Sequence, residues 1–180
     1  SKAPAIFDVE KLTWMNGMYL RAMALAKFHA LCVPFYKDAI KRVCDLLEVS
    51  KILQQRLTVL AEIPEMVDFI DSYPEYDVEM FYHKKMKTDN AMSILALEES
   101  LKVYETIENW NDVEELHQKL SATPERLGIK NGQFYWPIRT AVTGKQFTPG
   151  GALEIPYILG KDETLRRTHL SLAKLRQDTQ

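Results

Sequence analysis

The stretch YWPIRTAVTG, residues 135–144, places one guanidinium, Arg139, inside an otherwise aromatic and aliphatic run that ends on Gly144. A guanidinium is a planar, permanently charged fork of donors, suited to carboxylates, phosphates and the edges or faces of bases. The residues that follow, KQFTPGG, add the ammonium of Lys145, the hydroxyl of Thr148 and the rigid ring of Pro149. What the chain lacks turns this chemistry toward binding. It has no glycine-rich phosphate loop, no GxSxG elbow and no HExxH pair. Cys32 and Cys44 form no CxxC and read as reduced, buried thiols, and His29 with Cys32 supplies too few ligands for zinc. His83, His117 and His169 are scattered. The adjacent acids Glu98 and Glu99, like Glu114 and Glu115, diverge around a helix and read as solvated faces. No catalytic residue and no metal site is expected.

Groups of this kind need a scaffold, and the composition favours a helical one. The chain has 180 residues, 46% apolar and 27% charged, with only 7 Gly and 8 Pro. That length supports a substantial core in one or two domains, and the long Leu-, Ala-, Glu-, Lys- and Met-rich stretches are helix formers. Asp8 reads as the cap of a helix on which Leu12, Met15, Tyr19, Ala22 and Met23 recur at three and four, so Trp14 and Tyr19 are expected to pack into the first bundle. Pro34 reads as the start of the next helix, and Ser50 as the N-cap of one carrying Leu53, Leu57 and Leu60, with a break near Pro64. Residues 72–90 mix turn residues, aromatics and lysines like a domain junction. A strong helix follows, with Met92, Leu95, Ala96, Leu101 and Tyr104 inward. Asn111 with Glu114 makes a partial capping box, and Thr123 with Pro124 starts a further short turn. No strand-period segment or repeat appears. The expected fold is all-α, two consecutive helical bundles over residues 1–74 and 75–180.

The formal charge is -2, but its distribution is uneven. From Lys130 onward eight basic residues stand against four acidic ones, so this part is +4 and the remainder -6. The C-terminal quarter is therefore the part suited to a polyanion. Without an apolar run of about 18 residues or a basic-then-apolar leader, neither a transmembrane span nor a signal peptide is expected, and the chain reads as soluble and cytoplasmic.

The long phrase KNGQFYWPIRTAVTGKQFTPGGALEIPYILGKDETLRR resembles the C-terminal anticodon-binding region of bacterial glutamyl-tRNA synthetases, which are class I aminoacyl-tRNA synthetases. The resemblance is carried in order by Lys130, Gly132, Pro137, Ile138, Arg139, Ala141, Val142, Thr143, Gly144, Pro149, Gly150, Leu159, Gly160, Lys161, Arg166 and Arg167. One residue more than usual follows Pro149 and Gly150. At the other end, SKAPAIFDVEKLTWMNGMYLR is similar to the family segment that closes the connecting fold, through Phe7, Asp8, Lys11, Leu12, Trp14, Asn16, Tyr19 and Arg21. Residues 72–125 match by pattern alone. The family's ATP-binding signatures have no counterpart, so the resemblance implies a fragment without the catalytic domain.

It also implies roles. The parent would activate glutamate with ATP and Mg2+ and transfer it to tRNA, while this fragment, needing no cofactor, would bind the anticodon loop of glutamate tRNA. The expected anticodon readers are Arg56, Arg139, Thr148 and Pro149, and the candidate phosphate contacts are Lys130, Lys145, Arg166 and Arg167. A guanidinium on a helix can bond and stack on bases that are splayed out of a loop, with Pro137 and Gly144 expected to fix the ends of that helix. Arg56 falls where the family reads the third anticodon base, favouring cytosine over guanine and so glutamate tRNA over glutamine tRNA. The expected partners are the tRNA and the catalytic domain of the same polypeptide, the whole acting as a monomer. Blander readings stand beside these: Arg139 as an ion-pair partner between helices, Thr148 and Pro149 as a plain turn, Arg56 as an ordinary exposed Arg. The competing function is a helical protein-interaction module with Phe134, Tyr135 and Trp136 as its docking patch.

Overall fold

In a computed structural model of the chain, residues 8–179 are described, and Phe7 with the SKAPAI phrase before it lies outside them. Nine α-helices and short 3-10 turns account for the regular structure among these residues, and the sole β pairing among them is an isolated bridge between His83 and Thr88. The all-α expectation holds. No described helix is long and apolar enough to cross a membrane.

Helix α1 (Val9–Ala22) starts as expected, with the Asp8 carboxylate accepting from the Lys11 N–H at 3.1 Å. Its packing differs from expectation. It buries Gly17 and Leu20, and Asn16 donates to the Thr58 carbonyl. Trp14 and Tyr19 are 59% and 62% exposed, with Leu12, Met15 and Met18 also exposed. At 3.6 residues per turn the Leu12–Met15–Tyr19 stripe lies roughly 150° round the helix from Gly17 and Leu20. The helix thus has two non-polar faces, of which the described residues cover the one with Gly17 and Leu20. Trp14→Ala is accordingly expected to move the urea-unfolding free energy by less than about 1 kcal/mol; a loss of several kcal/mol would return Trp14 to the core.

Helix α2 (Leu25–Ala39) buries Phe28, Cys32 and Tyr36, one turn apart. Pro34 does not start a helix but lies inside this one. It is tolerated because Pro34 and Ala30, whose carbonyl loses its N–H partner, are both exposed, so water can serve the vacant acceptor. Helix α3 (Leu46–Gln54) is capped by Asp45, which accepts from the Leu47 and Glu48 N–H groups, and not by Ser50. Ser50 is instead fully buried, its hydroxyl 2.6 Å from both His29 Nδ1 and Tyr36 Oη. Burial raises the pKa of Tyr36 above the ordinary phenol range, so its hydroxyl stays protonated and can donate within this cluster. The short helix α4 (Ile63–Met66), with Pro64 in its first turn, completes the first bundle.

In the second bundle, α5 (Asn90–Glu105), α6 (Val113–Leu127), α7 (Asn131–Thr143) and α9 (Lys161–Asp178) surround Phe81, Leu97, Tyr104, Leu116, Phe134, Ile138 and Leu172. Leu95, expected inward, is 38% exposed; Ala96 and Leu97 take the core side of α5. Asp112 and not Asn111 caps α6, and Thr123 and Pro124 continue that helix to a left-handed stop at Gly128. Glu99 is buried and not solvated, bonded to Lys102 at 2.7 Å and Arg126 at 3.3 Å. Helix α8 (Ile155–Leu159) crosses the division expected at 74/75, since Ile155, Ile158 and Leu159, with Val142 of α7, pack into the first core.

Arg167 joins the two bundles. It is 0% exposed, which overturns its expected role as a phosphate contact. Its Nη1 donates to the carbonyls of Phe69 at 2.7 Å and Val142 at 2.8 Å, and its Nε to Glu163 at 2.8 Å. Hydrogen bonds first from Arg166 and then from Arg167 hold the Glu163 carboxyl down at about 2. The Tyr73 ring lies 4.9 Å from the Arg167 guanidinium, and its hydroxyl donates to the Ala141 carbonyl at 2.6 Å. The last carbonyls of α7, which a helix cannot satisfy itself, thus find donors from α9 and from the junction.

Candidate functional site

Helix α7 begins at Asn131, six residues ahead of Pro137, which is interior and buried rather than initiating. Lys130 caps it, its N–H donating to Gln133 Oε1 at 3.0 Å, and Gly144 ends it in the left-handed conformation. Arg139 sits three residues beyond Trp136, so the two side chains meet on one face, with the guanidinium carbon 4.5 Å from the indole centroid. Its Nη2 donates to the Gln146 carbonyl at 2.6 Å, while its Nε is buried without an acceptor. Among the described residues Arg139 makes no ion pair, so there it is not the interhelical partner of the blander reading.

The loop after α7 is drawn against α3. Gly150 has φ +68, and a Cβ there would stand 2.9 Å from Ile52 Cγ2, so both conformation and contact require glycine. That approach brings Arg56, just past α3, to the same cleft as Arg139. A cavity of about 790 Å3 is lined by Ile52, Gln55, Arg56, Met86, Tyr135, Trp136, Arg139 and residues 150–154. A second, of about 660 Å3, is lined by Arg56, Met66, Met80, Arg139 and residues 144–149. Arg56 and Arg139 border both.

The electrostatics favour an anion. Burial first, and the Arg56 charge second, lower the Arg139 pKa, so the charged form is held at a cost. Among the described residues, none of the acids at the cleft pairs with either guanidinium: Glu48 pairs with Lys51, Glu154 accepts from the Gly151 N–H, and Glu65, which also lines the smaller cavity, bonds to neither. Two neighbouring guanidiniums without a carboxylate partner are relieved by a bound negative group.

The other expected site residues divide. Thr148 lines the smaller cavity, half-buried, with only a long 3.4 Å contact to the Gly150 carbonyl; Pro149 lines it too but is buried and offers little surface. Lys145 also lines it, but its ammonium is held by Asp68 at 2.6 Å and the Glu65 carbonyl at 3.0 Å. Lys130 is exposed at the cap of α7 and in no ion pair among the described residues. Arg166 is exposed but forked onto Glu163 and borders neither cavity. Phe147, 79% exposed on the loop, was not anticipated, although an apolar residue in the polar turn KQFTP is a signal. Phe134 is fully buried, so it forms no docking patch with Tyr135 and Trp136.

The family model for the anticodon binding domain matches residues 27–171. The chain belongs to this family. Among relatives of this anticodon-binding chain, the glutamate–tRNA ligase of Clostridium tetani is 51% identical over 178 residues, covering 99% of this chain and 36% of the relative. That of Clostridium acetobutylicum is 46% identical over 176 residues, covering 97% and 36%. The chain thus spans about a third of the length of the curated relatives it matches. A crystal structure of a glutamate tRNA ligase from Elizabethkingia meningosepticum in complex with its amino acid superposes with a TM-score of 0.73 at 21% identity, over 97% of this chain and 34% of that one. At that identity the likeness concerns the fold.

Proposed function

We propose that this chain is the anticodon-reading part of a longer glutamate–tRNA ligase and that the Arg56–Arg139 cleft receives unpaired bases of the glutamate tRNA anticodon loop. The observation that carries the reading is the meeting of two carboxylate-free guanidiniums at one apolar, aromatic-lined cleft. Bases present acceptors at their edges and faces for stacking, and the backbone supplies the anion. Trp136, Tyr135 and the exposed Phe147 offer rings, while Thr148 offers a hydroxyl. The two bundles act as two subdomains divided near 74/75 apart from α8, which returns to the first core, with the cleft between α3 and α7. ATP, Mg2+ and glutamate belong to the remaining two-thirds of the parent, a cytoplasmic monomer in which this chain contacts the far end of the tRNA. Titrating the chain with a glutamate anticodon stem-loop, matched and anticodon-substituted, tests the reading; equal or absent binding of both would defeat it.

Arg56 gives the reading its selectivity. Cytosine, unpaired, presents O2 and N3 to a donor-only side chain, whereas guanine's acceptors O6 and N7 lie in a different direction on a larger ring. A well-placed fork discriminates by roughly 1 to 3 kcal/mol, about 5- to 150-fold. Arg56→Gln, uncharged and both donor and acceptor, is expected to narrow the preference for cytosine over guanine at the third anticodon position. Stem-loop titration with the two bases side by side measures it, and a variant that keeps the full preference removes Arg56 as reader.

A further inference from the structure

The chain reverses between His83 and Thr88, whose backbones exchange two hydrogen bonds of 3.2 Å, and the turn so formed carries Lys84, Lys85, Met86 and Lys87. All three lysines are exposed, and none is in an ion pair among the described residues. Lys87 has φ +58, the one positive φ at a non-glycine residue among those described. Gly or Asn usually fills such a position, because a Cβ there crowds the carbonyl. The turn is also fixed. Gln133 of α7 donates to the Lys87 carbonyl at 3.3 Å, the His83 ring packs 4.2 Å from that of Trp136, and the Met86 side chain sits against Gly132. A fourth exposed ammonium, that of Lys130, in no ion pair among the described residues, stands at the cap of the same helix, where the Lys130 N–H donates to the glutamine that holds the turn.

Met86 and Gly132 line the larger cavity, so the turn that carries Lys84, Lys85 and Lys87, and the start of α7 with Lys130, adjoin one edge of the Arg56–Arg139 cleft. We propose that the Lys84–Lys87 turn, with Lys130, is a phosphate-binding site for the RNA backbone entering or leaving that cleft. The inference rests on the anticodon reading above and adds the surface that holds the strand. Lysines that only solvate a loop need neither a left-handed backbone nor anchoring on the helix that carries the base-contacting guanidinium. In a chain of net charge -2, an unneutralised patch of this kind attracts a polyanion locally. Ammonium groups act as point charges without base preference, so the turn contributes affinity and salt dependence, not sequence selectivity.

The test is binding of matched and anticodon-substituted glutamate stem-loops between about 50 and 200 mM salt. The variants are Lys87→Gly alone and Lys84→Gln/Lys85→Gln/Lys87→Gly together, because Gly suits the left-handed position and keeps the turn folded. Each lost phosphate contact is expected to reduce the slope of log affinity against log salt by about 0.7 to 1, and three by about 2 to 3. The affinity loss should be equal for both stem-loops, and Lys87→Gly should melt no lower than the parent chain. An unchanged salt slope in the triple variant overturns the site while leaving the anticodon reading intact, as does a loss confined to the matched stem-loop. If the unsubstituted chain binds neither stem-loop, the anticodon reading falls and the site with it.

Discussion

Replacing Arg167 by Ala is expected to lower the melting temperature by about 6–20 °C. The substitution strips the buried carbonyls of Phe69 and Val142 of their donors and leaves a cavity where the side chain lay. The two unsatisfied buried carbonyls at about 1–2 kcal/mol each, with about 1 kcal/mol of lost packing, total about 3–5 kcal/mol. At about 2–4 °C per kcal/mol for a chain of this size, that gives the stated range. The Glu163 charge itself stays compensated by Arg166, which is why the loss is not larger. Arg167→Lys keeps the charge but not the fork and should recover only part of the loss. RNA affinity, measured well below the variant's melting temperature, should stay within about twofold, since Arg167 has no exposed surface. A normal melting curve with weakened RNA binding would reverse the assignment and make Arg167 a phosphate contact after all.

Why burial at Arg167 was invisible in the sequence is itself physical. Thr164, Arg167, Thr168 and Ser171 make a polar stripe on α9, which reads as a solvated face. Most of their partners are main-chain carbonyls, for Arg167 at Phe69 as far as 98 residues away, and a carbonyl has no sequence signature. What was legible depended on side chains that act within a few residues: the Asp8 cap, the Gly144 stop, and the apolar spacing of Leu53 and Leu57. The cap was misread at Ser50 because a hydroxyl can cap or can serve a buried histidine and tyrosine, and only the packing decides. Trp14 and Tyr19 failed for another reason. Periodicity shows that a face is apolar, not that this chain covers it. The cleft stands in between: local signals marked Arg139, but its meeting with Arg56, 83 positions earlier, is created by the contact of Gly150 with Ile52.

Removing the guanidinium of Arg139 is expected to weaken binding of the glutamate anticodon stem-loop by about 5- to 150-fold, the worth of one well-placed fork. The side chain is held on two sides, by the Trp136 ring and the Gln146 carbonyl, so its orientation is set before RNA arrives. Preorganisation of this kind turns more of the contact energy into affinity, because little side-chain entropy is left to lose. Arg139→Ala also unties the loop at Gln146, and the loop carries Phe147 and Thr148, so a second variant is needed to separate contact from tether. Arg139→Lys keeps a donor within reach of that loop and keeps the positive charge, but has no plane to stack or fork. If Arg139 contacts a base, the Lys variant should stay weak on the matched stem-loop and lose selectivity at one anticodon position, with its salt slope nearly unchanged. Should Lys instead restore affinity on every sequence, Arg139 serves the backbone and the selectivity of the cleft must come from Arg56 alone. Should neither variant bind more weakly while both melt normally, the guanidinium only ties α7 to its loop, and the proposed reader is lost.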